Sequence, residues 1–197
     1  NTNAELLYLK TQINPHFLFN TLNNIHGLAI KNSPQISEVI VRLATLMRYM
    51  LYESNTDKVP LEREVSYLEN YIELQQIRHK ADKIVDLKIQ GDPTRHKVAP
   101  LLFIHLVENA WKHSPKILNS GDIKIHLDVK KTSIDFSIQN PIGKLKINEM
   151  KEHGGIGLSN VKKRLSLLYP NSLHQFKVTK TEDSFHVIMT LSDTEIS

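Results

Sequence analysis

The first helical segment of the chain contains the stretch NPHFLFN, residues 14–20, in which a histidine directly follows a proline inside an apolar helix. The proline removes a backbone donor and crowds the carbonyl four residues earlier, so the helix is expected to bend near His16. Gln12, His16 and Asn20 lie four residues apart and therefore share one face of the helix. A bend beside an imidazole suits presentation of that ring to a reaction partner. A histidine satisfied by its neighbours at the edge of a core explains the same stretch.

The chain around this stretch is helical over residues 1–80. After a break in which Ser33 is expected to cap the next helix, apolar residues recur at helical spacing up to Leu51, and a third helix starts at Leu61. The charged residues expected around the apolar face of that third helix are Glu62, Arg63, Glu64 and Glu69. Each helix has one narrow apolar face, and a second copy of the chain can cover it. We therefore expect a dimeric helical bundle, with a self-contained three-helix domain as the alternative.

Residues 81–197 combine strand and helix patterns. Apolar and polar residues alternate over 84–90, 123–129, 133–139, 175–180 and 185–191, which predicts strands. Helical patterns cover 99–113 and 158–168, whereas 140–153 has no periodicity and is expected to be a loop. The predicted fold is α+β: a helical bundle followed by a two-layer sandwich of helices on a sheet. The boundary falls near residues 79–83, giving domains 1–80 and 81–197.

Composition excludes several classes of site. The chain contains no cysteine, which rules out disulfides, thiolate metal sites and cysteine nucleophiles. Its net charge of +4 is spread along the sequence, which argues against nucleic acid as the main partner. No apolar run reaches the ~20 residues that cross a bilayer. The chain has no signal peptide and begins with Asn, so we expect a cytoplasmic fragment whose membrane-bound sensor segment, if any, lies N-terminal to it.

A second polar cluster, ENAWKH, ends the predicted helix at residues 108–113. Glu108 and Lys112 are four residues apart and Asn109 and Lys112 three apart, so these side chains share a face. A carboxylate, an amide oxygen and an ammonium group can hold a hydrated divalent cation together with phosphate oxygens, because Mg²⁺ prefers oxygen ligands and keeps several waters. An ordinary polar helix end with a Glu–Lys pair is the alternative.

A glycine-rich segment, HGGIGLSN at residues 153–160, opens the next predicted helix. Glycine permits close approach of the backbone to a ligand, and the N–H groups at a helix N-terminus favour phosphate. The segment is not a Walker loop, since no Gly-Lys-Ser/Thr follows, and it does not follow the first strand of a βαβ unit as a dinucleotide fingerprint does. Glycines before a helix are often no more than a turn, so this segment alone does not establish a phosphate site.

Together and in this order, NPHFLFN at 14–20, VENAxKH at 107–113 and GGIGLxNVxxRL at 154–165 resemble the sensor histidine kinases of the LytS/YehU type. The resemblance covers nearly the whole chain and includes the pattern Leu61…Glu64…Tyr71…Arg78 of the third helix. It implies that the helical part is the dimerisation and phosphoacceptor region. It further implies that the second part has the ATP-binding fold shared with gyrase-type and Hsp90-type ATPases, the Bergerat fold.

The resemblance also implies roles for single residues. His16 matches the phosphoacceptor, Asn109 the ligand of Mg²⁺ and phosphate, and Glu108 the acidic residue before it. Glu108 is also a candidate for the base that orients His16. The other positions implied to bind ATP are Lys112, His113, Asn140, Gly155, Gly157 and Leu158. Asn20 is a candidate for orienting a water in a phosphatase reaction, and local polar satisfaction explains it equally well.

The implied function is that of an ATP-dependent protein-histidine kinase with ATP and Mg²⁺ as cofactors. His16 would be autophosphorylated, and the phosphoryl group would pass to an aspartate on the receiver domain of a response regulator. The partners implied are a second copy of the chain and that regulator, with no nucleic acid. A catalytically weak, dimeric nucleotide-binding scaffold and a purely structural helical adaptor are the alternatives.

The chain departs from the family pattern at several positions. Asn140 stands where an aspartate normally accepts a hydrogen bond from the adenine amino group, which removes the charge from that bond. Ile142 replaces the usual glycine, and Gly143 is displaced by one residue. Phe17 replaces the acidic residue that often orients the histidine, and His105 replaces a usual proline. These departures leave room for the scaffold alternative.

Overall fold

The computed structural model describes residues 15–79, 83–143 and 156–192. In this part of the chain the N-terminal portion consists of helices α1 (Pro15–Ile30), α2 (Ile36–Arg48) and α3 (Leu61–His79). A π-helical turn, Tyr49–Glu53, extends α2. Over the described residues the three predicted helices are confirmed, whereas the expected bend involves residues before Pro15, which lie outside the described residues. Ser33 does not cap α2, which begins after Gln35 without a side-chain cap. The Ser33 hydroxyl instead accepts the N–H of Gln35 at 3.3 Å.

The helices of this portion pack through their apolar faces. Phe17 of α1, Val39 and Leu46 of α2 and Leu68 of α3 are buried in one core. Helix α3 is buried at helical spacing along its length, and the sequence prediction for one of its charged residues is wrong. Glu64 is only 1% exposed, although it was expected beside the apolar face with the other charged residues. Its partners come from distant parts of the chain, as described below.

The second portion is built on a five-stranded mixed sheet. Its strands are β2 (Val85–Gln90), β4 (Ile123–Val129), β5 (Ser133–Pro141), β6 (His174–Lys180) and β7 (Ser184–Ser192). Their order is β2-β4-β5-β7-β6, in which β2 and β4 are parallel and the other neighbours antiparallel. A small antiparallel pair, β1 (Val59–Pro60) and β3 (Lys97–Val98), joins the start of α3 to the segment that precedes the next helix.

Two helices lie on the sheet: α4 (Leu102–His113) and α5 (Ile156–Leu168). The ring of Phe103 in α4 lies 4.9 Å from that of Phe136 in β5, and alternate residues of β4 and β5 are buried beneath the helix. This arrangement confirms the predicted α+β fold. Two details of the prediction are wrong: the 99–113 helix begins at Leu102, and Asn140 and Pro141 belong to β5 rather than to a loop.

The proposed domain boundary near 79–83 falls between the end of α3 and the start of β2 and stays a prediction. Among the described residues, no helix is long and apolar enough to cross a membrane.

Candidate functional site

Helix α4 positions the polar cluster ENAWKH on the surface of the second portion. Its apolar residues Phe103, Leu106, Val107 and Ala110 are buried, which fixes the rotation of the helix. Because of this rotation, the remaining face is accessible to a ligand. The side chains on that face include Glu108 and Asn109, both half-buried, and the exposed Lys112.

Asn109 lies against the first turn of α5. A Cβ atom added to Gly157 would be 3.5 Å from Oδ1 of Asn109, so glycine leaves a small space beside the amide oxygen. The N-terminal turn of α5 has backbone N–H groups without helical partners, which attract phosphate. An oxygen ligand beside such a turn fits a magnesium-bound phosphate, since Mg²⁺ takes oxygen ligands and shares them with phosphates.

The end of β5 passes the C-terminal end of α4. A Cβ atom on Gly143 would be 3.5 Å from Cα of Pro115, which follows α4. Asn140 is 2% exposed, and its Nδ2 donates a hydrogen bond to the carbonyl of Pro141 at 2.8 Å. With the amide nitrogen engaged in this way, the amide group offers its oxygen as an acceptor. The fold thus gathers the C-terminal ends of α4 and of the central strand β5, and the start of α5, in one region.

Glu108 has partners that the sequence analysis did not anticipate. Its Oε2 lies 3.5 Å from Nδ1 of His105, one turn earlier on α4. Burial, and secondly the charge of Glu108, raise the pKa of both Tyr67 and Tyr71 on α3. Glu108 therefore lies close to the helical portion. The spacing of three residues could have indicated the His105 contact, whereas no local pattern links Glu108 to α3.

A ring contact connects the segment that contains His16 to α3. The ring of Phe17 is 4.7 Å from that of Tyr71, the tyrosine whose pKa Glu108 helps to raise. The backbone of His16 lies in the first turn of α1, and its side chain lies outside the described residues. The structure thus brings α1 and α3 together beside α4, and it does not describe the distance from the imidazole to Glu108.

The other predicted site residues that the structure describes lie on α1, α4 and α5. Leu158 is half-buried in the first turn of α5, and His113 is half-buried at the end of α4. Asn20 is half-buried on α1, one turn after His16. Gly155 lies outside the described residues. Among the residues that the structure describes, no group of three or more His, Asp or Glu residues forms a metal cluster.

Comparison with known proteins relates this geometry to a family. Residues 4–84 match the sequence model of the histidine kinase family. LytS of Bacillus subtilis is 30% identical over an alignment 202 residues long, and this match covers 94% of this chain and 34% of LytS. The resemblance to LytS-type sensor histidine kinases is confirmed. LytS of Bacillus cereus is 28% identical over 178 residues, covering 84% of this chain and 30% of that protein.

The chain spans about a third of the length of the LytS relatives it matches. Among solved structures, the histidine kinase domain of the blue-light activated kinase EL346 from Erythrobacter litoralis is similar, with a TM-score of 0.50. At 14% sequence identity, the alignment covers 96% of this chain and 91% of that domain. This likeness concerns the fold alone and agrees with an α+β histidine kinase architecture.

Proposed function

We propose that the chain is the cytoplasmic kinase portion of a membrane-bound two-component sensor histidine kinase. Residues 81–197 would bind ATP, and residues 1–80 would dimerise and carry the phosphoacceptor His16. The observation that carries this proposal is the placement of the Asn109 amide oxygen beside Gly157 at the start of α5. This placement would offer an oxygen ligand for Mg²⁺ next to backbone N–H groups for the phosphates of a nucleoside triphosphate.

The residues at the ends of α4 and β5 and at the start of α5 would contact different parts of the nucleotide. Asn109 would hold the phosphates through Mg²⁺, and Lys112 and His113 lie on the same helix end for contacts to phosphate. Gly155, Gly157 and Leu158 would form the turn that faces the phosphates, and Asn140 would accept the adenine amino group. Mg²⁺, when bound, would neutralise charge on the transferring phosphoryl group. None of these residues would act as the nucleophile, which would come from the helical portion.

His16 would be the nucleophile. A nitrogen of its neutral ring would form a bond to the γ-phosphorus, while the bond from that phosphorus to the β,γ-bridging oxygen breaks and ADP leaves. The ring proton would pass to a base or to solvent, and Glu108 is the candidate base. Phosphohistidine would then pass its phosphoryl group to an aspartate of a response-regulator receiver domain. Asn20 is a candidate for orienting a water that attacks the phosphorus of that aspartyl phosphate, which releases the carboxylate and inorganic phosphate.

Removal of the Asn109 amide is the test of nucleotide binding. ATP–Mg²⁺ at about 100 times its dissociation constant is expected to stabilise the wild type by about 2.7 kcal/mol. Asn109→Ala is expected to show little stabilisation at the same concentration, because it lacks the oxygen ligand. A thermal-shift titration of both proteins measures this. Absence of a shift in the wild type would favour the structural adaptor, and binding without any histidine phosphorylation would favour the weak scaffold.

A methyl group at position 157 offers a graded variant of the same experiment. Gly157→Ala places a carbon 3.5 Å from Oδ1 of Asn109 without a clash, so the fold should persist while the space for a phosphate narrows. We expect the affinity for ATP–Mg²⁺ to fall about tenfold, equivalent to ~1.4 kcal/mol. Gly27→Ala is the matched control, because nothing lies within 4 Å of that added Cβ on α1. Equal affinity of both variants would contradict the placement of phosphate at Gly157.

Dimerisation is supported by apolar side chains that the chain leaves exposed. Phe19, Leu22 and Ile30 on α1 and Ile40 and Val41 on α2 are all between 47% and 70% exposed. The three on α1 fall on one face of that helix, as expected for a surface that packs on another copy. Multi-angle light scattering should give the mass of two chains. A single-chain mass at all concentrations would contradict this part of the proposal.

A further inference from the structure

The N-terminus of α4 has no cap of its own. The residue before the helix, Leu101, has a left-handed backbone with φ of 57° and makes no side-chain capping bond. A left-handed conformation is unfavourable for a residue with a Cβ atom, and the first N–H groups of a helix need acceptors. Because the residues around Leu101 are apolar, other parts of the fold must supply these acceptors and hold the left-handed backbone of Leu101.

Glu64 of α3 supplies an acceptor for this helix N-terminus. Its Oε1 accepts the N–H of Leu101 at 2.7 Å and the hydroxyl hydrogen of Tyr49, and the side chain is 1% exposed. Burial raises the pKa of this carboxyl, whereas the Tyr49 hydroxyl, the amides of Leu101 and Leu102 and the charge of Arg164 lower it. A carboxylate at a helix N-terminus also interacts favourably with the helix dipole. The cap of α4 therefore comes from the helical portion.

Arg164 of α5 holds the same segment from the other side. It is 2% exposed, and its guanidinium donates to the carbonyls of Leu101, at 3.3 Å, and of Pro100. Tyr169, just beyond α5, accepts the N–H of Ala99 at 2.8 Å through its hydroxyl oxygen. Residues 99–101 are consequently held between α3 and α5. Residues 99–101 lead directly into α4, which carries Asn109, and their hydrogen bonds to Arg164 link them to α5, which begins at the glycine-rich segment.

We propose that Glu64 is a positioning residue: its carboxyl oxygen, by holding the N–H of Leu101, fixes α4 relative to the helical portion and so sets where the nucleotide lies relative to His16. Helix α3 is linked to the His16 segment through the Phe17–Tyr71 contact. Glu64, on the same helix, is linked to α4. The inference rests on the proposed kinase function. It adds a residue whose effect is on transfer rather than on nucleotide binding.

Two substitutions separate the reach of the side chain from its charge. Glu64→Asp keeps the carboxylate but withdraws it by about one C–C bond, ~1.5 Å, from the N–H of Leu101. Glu64→Gln keeps both the length and an acceptor oxygen. We expect the kcat for His16 phosphorylation to fall about 100-fold in the Asp variant, as for misplacement by an ångström, with the KM for ATP within about twofold. The Gln variant should recover most of the kcat.

The exposed Glu69 on the same helix supplies matched controls, Glu69→Asp and Glu69→Gln, which should leave both constants unchanged. A rise in KM without loss of kcat in Glu64→Asp, or an equal loss of kcat in both Glu64 variants, would overturn the positioning role.

Amide hydrogen exchange keeps the inference separate from the kinase proposal. In Glu64→Asp, exchange at Leu101 and Leu102 should accelerate, while amides in the centre of the sheet should exchange at the wild-type rate. If the wild type is not phosphorylated at all, the proposed kinase function fails. The exchange measurement then still tests whether Glu64 holds α4. Unchanged exchange at Leu101 and Leu102 would then overturn the role of Glu64 in holding α4.

Discussion

His16→Gln is expected to abolish phosphorylation of the chain by γ-labelled ATP. Glutamine has an amide nitrogen that is not nucleophilic, so no bond to the γ-phosphorus can form. In the wild type, the label should be stable in alkali and labile in acid, as expected for phosphohistidine. Equal labelling of wild type and variant would sink the assignment of His16.

The matched control for this substitution is His26→Gln, because His26 is exposed on the same helix. It should be labelled at the wild-type rate. Glutamine is a good helix former, so neither variant should lose α1. The His16 variant should also keep the stabilisation by ATP–Mg²⁺, because Asn109 and Gly157 belong to the other portion. Loss of label together with loss of the nucleotide effect would indicate damage to the fold rather than removal of the nucleophile.

The packing of Phe17 accounts for the missing acid after His16. An acidic residue at this position would be buried against Tyr71, since Phe17 is 7% exposed and its ring lies 4.7 Å from the tyrosine ring. A charge there would be costly without a partner. If His16 is the phosphoacceptor, as proposed, its orienting group would come from another element. Glu108 on α4 is the proposed candidate, and its charge, after burial, contributes to the raised pKa of Tyr71.

The sequence predicts the elements of this fold well and its distant polar contacts poorly. Amphipathic spacing identified α1 to α3, and alternation identified the strands, because each pattern repeats over adjacent residues. Asn140 continues the inward alternation of Ile134, Phe136 and Ile138 and is buried with them, so the end of β5 was in principle recognisable. The parallel pairing of β2 with β4 was not recognisable, since no local pattern specifies which strands become neighbours.

Glu64 shows why part of the site escaped prediction. It lies three residues after Leu61, on the buried face of α3, and a charged residue there is ordinarily assigned to solvent. The groups that make its burial possible are Tyr49, Leu101 and Arg164, which lie 15, 37 and 100 residues away along the chain. Only folding brings them together. The same holds for Asn109 and Gly157, whose proximity the family resemblance implied but which no spacing could reveal.

Arg164→Met is expected to be the most destabilising single substitution at the junction of the two portions. It removes the donors to the carbonyls of Pro100 and Leu101 and leaves Glu64 buried without its nearest opposite charge. Loss of one member of a buried charged network typically costs about 3–5 kcal/mol in the free energy of unfolding. Urea unfolding measures this, and Lys162→Met, an exposed cation on the same helix, should change it by less than about 0.5 kcal/mol.

The pH dependence of this loss distinguishes an electrostatic cause from lost packing. Burial already raises the pKa of Glu64 above its ordinary value of 4.5, and removal of the Arg164 charge should raise that pKa further. Between the ordinary and the raised pKa, the folded chain binds more protons than the unfolded chain, so the stability falls as the pH rises. The loss of unfolding free energy caused by Arg164→Met should therefore be smaller at pH 5 than at pH 8.

The neighbouring tyrosines do not interfere with this comparison. Burial raises the pKa of Tyr49, Tyr67 and Tyr169, the last to about 12, so none of them titrates in this range. In a Glu64→Gln background, the loss of unfolding free energy caused by Arg164→Met should depend less on pH. The double variant should lose less unfolding free energy than the two single variants lose together. If the losses of unfolding free energy are additive, and the loss caused by Arg164→Met is the same at pH 5 and pH 8, Arg164 acts through packing alone. Coupling with the predicted sign would show that the charge of Glu64, and not its volume, requires Arg164 on α5.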